Sequence, residues 1–414
     1  MSASGTTSNS SLTPLRPQNA ERFRCTGPDC EDTCCKSWNI FIDRDTYKKY
    51  RNASENPLRV LAGAGLKRVS GADPLRYASI KLNQEGFCPF FSPDRLCSIQ
   101  KDYGEAWLSK TCAQYPRSRS IVGGVQEETL LLSCPEAARL VLLDPEFFAV
   151  SSAQGLTELP PGIAPPSLVL LAAMRNFSIL LIRDRRYALW ERLFLLSLLC
   201  KRLEALIVQK AAERIPQLLA ETVQAVEGGS LQAVLQAVPL RTEIQVKVML
   251  VLLDSLQARS RHNKRLAECV QDFAAGIGYG QSKMASDLTE NYTQAFRQWY
   301  APWVASHEHV LENYLINYVF AHLFPFVPRS EERMSPWREA RLFCLQFGLV
   351  RGLLAGMAGH YCMEFSVECA LKLIQSFSRE VEHSASFLRR VDDLLIHYGL
   401  DGSDGVAALL RDPA

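Results

Sequence analysis

The stretch FRCTGPDCEDTCCKSW, Phe23 to Trp38, determines how the first third of this chain can fold. It begins a run of eight cysteines between residues 25 and 134, whereas none of the seven histidines precedes His262. Clustered thiols without nearby histidines usually bind metal in proteins that stay inside the cell. The sequence therefore predicts a metal site built from thiolates alone. The candidate ligands are Cys25, Cys30, Cys34, Cys35, Cys88, Cys97, Cys112 and Cys134.

The spacing of these cysteines limits the kind of site. A structural zinc finger places two short-spaced pairs close together, whereas about fifty residues separate the two groups here. The ligands are therefore expected to converge through a folded domain. Four thiolates suit zinc and iron–sulfur clusters equally, so both metals remain open. The radical-adenosylmethionine spacing C-x3-C-x2-C would require a cysteine after Cys30 and Cys34 where Ser37 stands, which argues against that enzyme class.

A four-bridge disulfide framework and a set of unligated thiols are the alternatives to metal. Residues 1–20 are rich in Ser, Thr, Asn and Pro and lack an apolar core, so they predict a disordered tail without a secretory signal. We therefore expect a cytoplasmic protein. In a reducing cytoplasm, clustered cysteines bind metal or act in catalysis more often than they form disulfides.

Composition argues against several other classes of protein. The 414 residues are 47% hydrophobic, and 46 basic against 44 acidic residues give a formal charge of +2. This balance gives no general attraction to nucleic acid or to an anionic membrane. The apolar tracts 168–182 and 193–200 are too short or too interrupted to cross a bilayer. We expect no nucleic-acid partner and no membrane partner, and the oligomeric state stays open.

The pattern of residues predicts a mainly α fold, in which an irregular cysteine-rich metal-binding domain precedes an α-helical array. The first domain spans 21–150 and depends on its metal for part of its folding energy. Pro160, Pro161, Pro165 and Pro166 predict a stiff linker over 151–167. The helical domain follows over 168–414.

Apolar residues spaced three and four apart predict the individual helices. The sequence also predicts a hairpin around Gly123 and Gly124, which pairs 120–125 with 129–132. The predicted helices cover 44–52, 168–182, 187–212, 231–238, 243–257, 308–324, 337–358 and 365–376.

Other familiar site motifs are weak or absent. Glycines occur together at 63–65, 276–280 and 352–359, but none of these groups follows a buried strand as a Rossmann site requires. They are interpreted as turns and close helix packing. His307 and His309 point in different directions on a helix, so they are interpreted as surface or cap residues. Trp38 and Tyr115 are expected to pack against the cysteine site.

Four motifs together resemble a known family. The segments FRCTGPDCEDTCCKSW, GFCPFFSPDRLCSIQ, TCAQYPRS and LSCPEAARL are similar to the cysteine-rich region of flagellin lysine-N-methylases. The shorter pattern C-x3-C-C, then C-x-I, then C-x2-Y-P, resembles the wider group of small iron- or zinc-chelating cysteine-cluster domains. The segment ENYLINYVFAHLFPF, Glu312 to Phe326, extends the resemblance into the helical half.

The resemblance implies a cytoplasmic protein-lysine N-methyltransferase that transfers methyl groups from S-adenosylmethionine to lysines of flagellin. It also implies an iron–sulfur cluster, [4Fe-4S], with zinc as the alternative metal. The eight cysteines stand at the matching motif positions, and some of them are expected to ligate one cluster. Cys34 and Cys35 are adjacent and are not expected to bind the same iron.

A lysine methylase must deprotonate its substrate amine and align it with the sulfonium methyl group. The candidate groups near the cysteines that could accept the proton are Asp29, Asp32, Asp43, Tyr103, Glu105 and Tyr115.

The competing hypothesis is a metal-binding or cluster-carrier protein without enzymatic activity, which would bind metal but transfer no methyl group.

Overall fold

The computed structural model describes residues 18–54, 56–71, 73–122, 125–147, 166–261, 263–281, 284–327, 335–382 and 384–413. Helices dominate these residues, so the predicted mainly α fold is confirmed. The predicted tail over 1–20 falls almost wholly outside the described residues, and so does most of the predicted linker over 151–167. Both stay predictions.

The first part of the chain consists of short helices and two small antiparallel sheets. Its helices are α1 (Gln18–Arg22), α2 (Arg44–Arg51), α3 (Asn56–Gly65), α4 (Ser98–Tyr103), α5 (Lys110–Gln114) and α6 (Pro135–Leu142). Its strands are β1 (Phe41–Ile42), β2 (Leu66–Arg68), β3 (Ala78–Ile80), β4 (Arg117–Val122) and β5 (Val125–Leu130). Strand β3 lies between β1 and β2, and β4 pairs with β5 in a hairpin whose strands begin earlier than predicted. Strands of two or three residues are too short to show an alternating pattern, so the first sheet was not predicted.

The second part is an array of longer helices. They are α7 (Pro166–Ile182), α8 (Leu189–Val208), α9 (Ile215–Glu227), α10 (Gln232–Gln236), α11 (Thr242–Ser260), α12 (Lys264–Gly276), α13 (Ala285–Ala295), α14 (Ala301–Ala321), α15 (Pro336–Tyr361), α16 (Val367–Phe377), α17 (Ala385–His397) and α18 (Ser403–Leu410). Two π-helical turns, Phe296–Tyr300 and Ser378–Glu382, precede α14 and follow α16. The predicted helices correspond to observed ones with shifted ends, whereas α9, α12, α13, α17 and α18 were not predicted.

The described residues contain two large hydrophobic cores and a separate small cluster of Leu171 and Ala172. The smaller core is built from residues between Ile40 and Ile99 around β1, β3 and α2. The larger core contains the helical array together with Leu130, Leu132 and the buried face of α6. The end of the hairpin and α6 therefore pack with the helical array and not with the smaller core.

Helix α15 runs through the larger core and contacts α8, α12, α16 and α18. Among the described residues, the segment Pro336–Glu364 is the one stretch long and apolar enough to cross a membrane. Its most apolar window is 89% buried inside the protein, which is typical of the central helix of a folded core. The apolar tracts 168–182 and 193–200 lie in α7 and α8, which pack against the same core.

Glycines let α12 and α15 approach closely. A Cβ atom on Gly276 would lie 1.8 Å from the carbonyl oxygen of Gly356, and one on Gly359 would lie 2.6 Å from Cβ of Ala295. Gly278 and Gly280 adopt positive φ angles in the turn after α12. These two glycine groups thus serve helix packing and a turn, as interpreted from the sequence.

Buried polar contacts attach the hairpin and α6 to the helices. Arg175 of α7 forms a bidentate ion pair with Glu127 of β5, and neither side chain is more than 1% exposed. The Thr129 hydroxyl donates to Oδ1 of Asn317 at 2.9 Å. The Asn313 amide donates to the carbonyl oxygens of Val141 and Asp144, at 3.0 and 2.7 Å. The segment that contains Cys134 is therefore fixed by the helical array.

Candidate functional site

Five of the eight candidate cysteines line one cavity of about 70 Å³. They belong to two groups that are far apart in the sequence and meet at the smaller core. The five are Cys34, Cys35, Cys88, Cys97 and Cys112.

Backbone pairing joins the two groups. The Cys88 amide donates to the Cys35 carbonyl at 2.8 Å, and the Ser37 amide donates to the Gly86 carbonyl at 2.9 Å. Gly86 has φ +84°, and a Cβ there would lie 3.2 Å from the Ser37 hydroxyl, so this turn favours glycine. The pairing places the adjacent cysteines beside Cys88.

Helix ends position the other two cavity cysteines. Cys97 is the residue before α4 and has an extended backbone, so its side chain lies at the helix N-terminus. Cys112 lies in the first turn of α5, where its amide donates to the Ser109 hydroxyl at 3.3 Å. Backbone amides at helix N-termini favour negative charge, which suits a thiolate at either position.

An aromatic pair closes one side of the cavity. Trp38 and Tyr115 both line it, with ring centroids 5.3 Å apart and planes tilted by 40°. The Trp38 indole donates to the Cys34 carbonyl, and the Tyr115 hydroxyl lies 3.1 Å from that of Ser133. These two residues pack against the cysteines, as the sequence indicated. The remaining wall is mostly apolar, with Ile40, Ile42, Tyr50, Ile80, Phe90, Ile99, Gln100, Leu108 and Ser109.

Burial suppresses the ionisation of most of these thiols. Loss of solvation raises the pKa of Cys88 to about 12 and that of Cys112 to about 11. It also raises the pKa of Cys97. A thiol with such a pKa stays protonated at neutral pH unless a cation compensates the thiolate charge.

The adjacent pair behaves differently. The Cys35 thiol hydrogen-bonds to the Cys34 sulfur, and this bond, helped by the charge of Arg379, lowers the pKa of Cys34 to about 7 against the effect of burial. The same hydrogen bond, together with burial, raises the pKa of Cys35. Cys34 is therefore the cavity thiol that ionises most readily.

In donor type, the cavity fits a metal bound by thiolates. A metal cation supplies the positive charge that buried thiols need in order to ionise. Within the described residues, no set of three or more His, Cys, Asp or Glu side chains is close enough to form a ready-made metal site. The five cysteines nevertheless share the lining of one cavity.

The other three candidate cysteines lie outside the cavity lining. Cys25 is exposed, whereas Cys30 and Cys134 are partly buried. Burial raises the pKa of Cys134 to about 12, with smaller contributions from Cys30 and Cys34. All thirteen cysteines lie within the described residues and are free thiols there, so this structure contains none of the disulfides considered from the sequence.

The candidate proton acceptors are separated by the structure. Of the six, Tyr115 alone lines the cavity. The Asp43 carboxylate caps α2 and accepts hydrogen bonds from Thr46 and from the Lys110 amide, so it already has a structural role. Burial raises the pKa of Tyr115, so its hydroxyl stays neutral and can accept a hydrogen bond without taking up the proton.

Two residues of the helical array reach the cysteine loop and were not predicted. The side chains of Gln375 and Arg379 bond to residues 32–36 across more than 340 positions of the chain. No local sequence pattern indicates a contact over that separation. His307 and His309, by contrast, lie away from the cavity lining, and His307 stacks on Trp303 with ring centroids 4.9 Å apart.

Comparison with known proteins identifies the family through the helical array. The family model described as the FliB lysine N-methylase C-terminal domain matches residues 175–409. The chain belongs to this family. The match to the FliB family includes Gln375 and Arg379, whereas the cavity cysteines precede residue 175 and lie outside it.

Several Salmonella proteins are similar to this FliB-family chain. Two proteins named Lysine-N-methylase, from Salmonella typhimurium and Salmonella choleraesuis, are 35% and 34% identical over 141 residues. These matches cover 34% of this chain and 35% of each relative, so the chain spans about a third of their length. The flagellar biosynthetic protein FliU of Salmonella muenchen is 34% identical over 140 residues, which cover 34% of this chain and 82% of that protein. No solved structure matches the chain.

Proposed function

We propose that this protein is a cytoplasmic lysine N-methyltransferase that methylates lysine side chains of flagellin with S-adenosylmethionine as the methyl donor. Membership of the FliB family over residues 175–409 is the observation on which the proposal rests. Relatives named as lysine methylases and as a flagellar biosynthetic protein support it.

The proposal includes an iron–sulfur cluster, [4Fe-4S], at the cysteine cavity. Cys34, Cys88, Cys97 and Cys112 would hold it, and Cys35 would remain a thiol that hydrogen-bonds to the Cys34 sulfur. When bound, such a cluster would supply the positive iron charge that lets these buried thiols ionise. Zinc is the alternative metal for the same thiols.

The residues of the cavity suit amine chemistry in three ways. Its apolar wall excludes water, which favours the neutral form of a lysine amine over the ammonium form. The neutral Tyr115 hydroxyl can accept a hydrogen bond from that amine and orient it. Trp38 presents an aromatic face next to Tyr115, and such faces attract cationic groups such as a sulfonium.

Methyl transfer can be measured directly. Protein purified without oxygen, incubated with S-adenosylmethionine and flagellin, should add one methylene to a flagellin lysine per transfer, as read by peptide mass spectrometry. Cys112→Ala removes a partly buried cavity thiol and should lower both the bound metal and the rate of methylation, the latter by at least about tenfold. Cys369→Ala is the matched control because Cys369 is partly buried but lies in α16, outside the cavity lining.

Three outcomes would reject parts of this proposal. Unchanged flagellin after incubation with protein that contains its metal would exclude the methylase activity and favour a cluster carrier. A colourless protein that contains zinc would exclude the iron–sulfur cluster. Full metal content in Cys112→Ala would exclude the cavity as the metal site.

A further inference from the structure

The loop between Cys30 and Lys36 is held by side chains from the other end of the chain. Arg379, in the π-helical turn after α16, donates to the Asp32 carbonyl at 3.1 Å and to the Thr33 carbonyl at 3.0 Å. It also donates to the Lys36 carbonyl and forms an ion pair with Oδ1 of Asp32 at 2.8 Å. One guanidinium group therefore bonds to three carbonyl oxygens and one carboxylate of the same loop.

Gln375 makes the second connection. Its amide nitrogen donates at 2.9 Å to Oδ2 of Asp32 and at 2.9 Å to the Ser133 carbonyl. Gln375 is 1% exposed, and its amide oxygen accepts from Arg265 at 3.0 Å, so its orientation is fixed. This single amide links the first cysteine loop to the residue that precedes Cys134.

Gln375 and Arg379 extend from the same side of α16 and the π-helical turn that follows it. Gln375 and Arg379 are four residues apart, and residues with that spacing lie on the same face of a helix. Only 8% of the Arg379 side chain and 14% of the Asp32 side chain are exposed, so water competes weakly for these bonds. The loop that they hold contains Cys34 and Cys35, which line the cavity.

We propose that Arg379 and Gln375 are positioning residues of the cysteine site, and that the FliB-family helical array thereby completes a site whose thiols all come from the first third of the chain. The planar guanidinium, with donors in a fixed fork, sets the path of residues 32–36. Gln375 fixes that path relative to Ser133. This inference rests on the proposed function for its biological purpose, whereas its test reads the loop and the metal directly.

Hydrogen exchange in the full chain without metal tests the positioning. The Ser37 and Cys88 amides report on the loop because they bond to the carbonyls of Gly86 and Cys35. In Arg379→Gln, both amides should exchange at least about tenfold faster than in the unmodified protein, while amides of α15 keep their rates. Gln375→Leu, which is similar in size, should accelerate the same amides to a smaller extent.

Metal content provides a second readout. After reconstitution with iron and sulfide, Arg379→Gln should retain less than half of the iron bound by the unmodified protein, with altered visible absorption. Arg379→Lys keeps the charge and loses the fork, so it should recover only part of that iron. Arg390→Gln is the control, because Arg390 is an exposed arginine of α17 that bonds to the Ser255 hydroxyl at 3.3 Å.

The possible outcomes are distinct. The proposal is overturned if amide exchange and iron content in Arg379→Gln equal those of the unmodified protein. It is also overturned if Arg379→Lys recovers all of the bound iron. If Arg379→Gln does not fold, Arg379→Lys and Gln375→Leu decide, provided that their melting temperatures equal that of the control. A loosened loop in a protein that never methylates flagellin would support the positioning role and reject the proposed function. Loss of methylation with unchanged amide exchange in the loop would support the proposed function and reject the positioning role.

Discussion

At the scale of single residues, burial determines which side chains carry charge. The cavity thiols Cys88 and Cys112 have raised pKa values because apolar residues surround them. Glu382 behaves similarly, since burial raises its pKa to about 7. The Glu382 side chain is 6% exposed, and its carboxyl group lies near the hydroxyls of Tyr314 and Ser378, with Nε2 of His322 at 4.0 Å. The raised pKa means that the folded protein favours the neutral acid over the carboxylate.

The Glu382 carboxyl should make folding stability depend on pH. Its folded pKa lies above the ordinary value near 4.5, so the folded state binds more protons than the unfolded state between these values. The stabilisation of the protonated form is therefore present in full below about pH 4.5 and is lost as the pH rises through about 7. Glu382→Gln should reduce the loss of unfolding free energy between pH 5.5 and 8 by about 1–3 kcal/mol. Denaturant titrations at both pH values measure it, and an identical pH dependence in the two proteins would contradict the prediction.

At the scale of elements, helix packing and helix ends position the side chains of the candidate site. Glycines bring α12 and α15 to backbone contact, and α15 in turn packs against α16, which contains Gln375. In the first third of the chain, α4 and α5 are short and place Cys97 and Cys112 at their N-terminal ends. The site is thus supported by short elements on one side and by the helical array on the other.

The crossing of α12 and α15 should tolerate no added side-chain atom. In Gly276→Ala, the new methyl group would lie 1.8 Å from the Gly356 oxygen, so the helices must separate. We expect a loss of about 1–3 kcal/mol in unfolding free energy, measured by denaturant titration. Gly402→Ala is the control, because no atom lies within 4 Å of the new Cβ and φ is −84°. Equal losses in the two variants would show that the close crossing has no energetic role.

At the scale of the whole molecule, two cores of unequal size share the cysteines. The smaller core contains Cys88 and packs beside Cys35, Cys97 and Cys112, whereas Cys134 packs against the larger core. A small core buries little apolar surface, so bound metal would supply a larger share of its stability.

Metal removal should therefore loosen one core only. If the protein that contains metal is treated with a chelator without oxygen, amides of β1, β3 and α2 should exchange at least about tenfold faster. Amides of α15 should be unchanged, because that helix belongs to the larger core. Hydrogen exchange with mass spectrometry measures both regions in one sample. Equal acceleration throughout the chain, or none in the smaller core, would contradict the prediction.

The sequence by itself determined the fold class and most of the long helices, and it predicted the type of donor at the proposed metal site. These depend on local information, since apolar periodicity marks a buried helix face and clustered thiols mark metal chemistry. Residues that lack periodicity, such as the strands of the first sheet, could not be predicted in this way. Their pairing depends on contacts that are distant along the chain.

The tertiary structure alone decided which cysteines share the cavity and what holds them there. It placed Cys34, Cys35 and three later cysteines together and left Cys25, Cys30 and Cys134 outside the lining. It also brought Gln375 and Arg379 to the loop at residues 32–36. The physical reason is that a cavity is formed by the packing of separate elements, and the hydrogen bonds of a buried guanidinium leave no signature in the sequence of either partner.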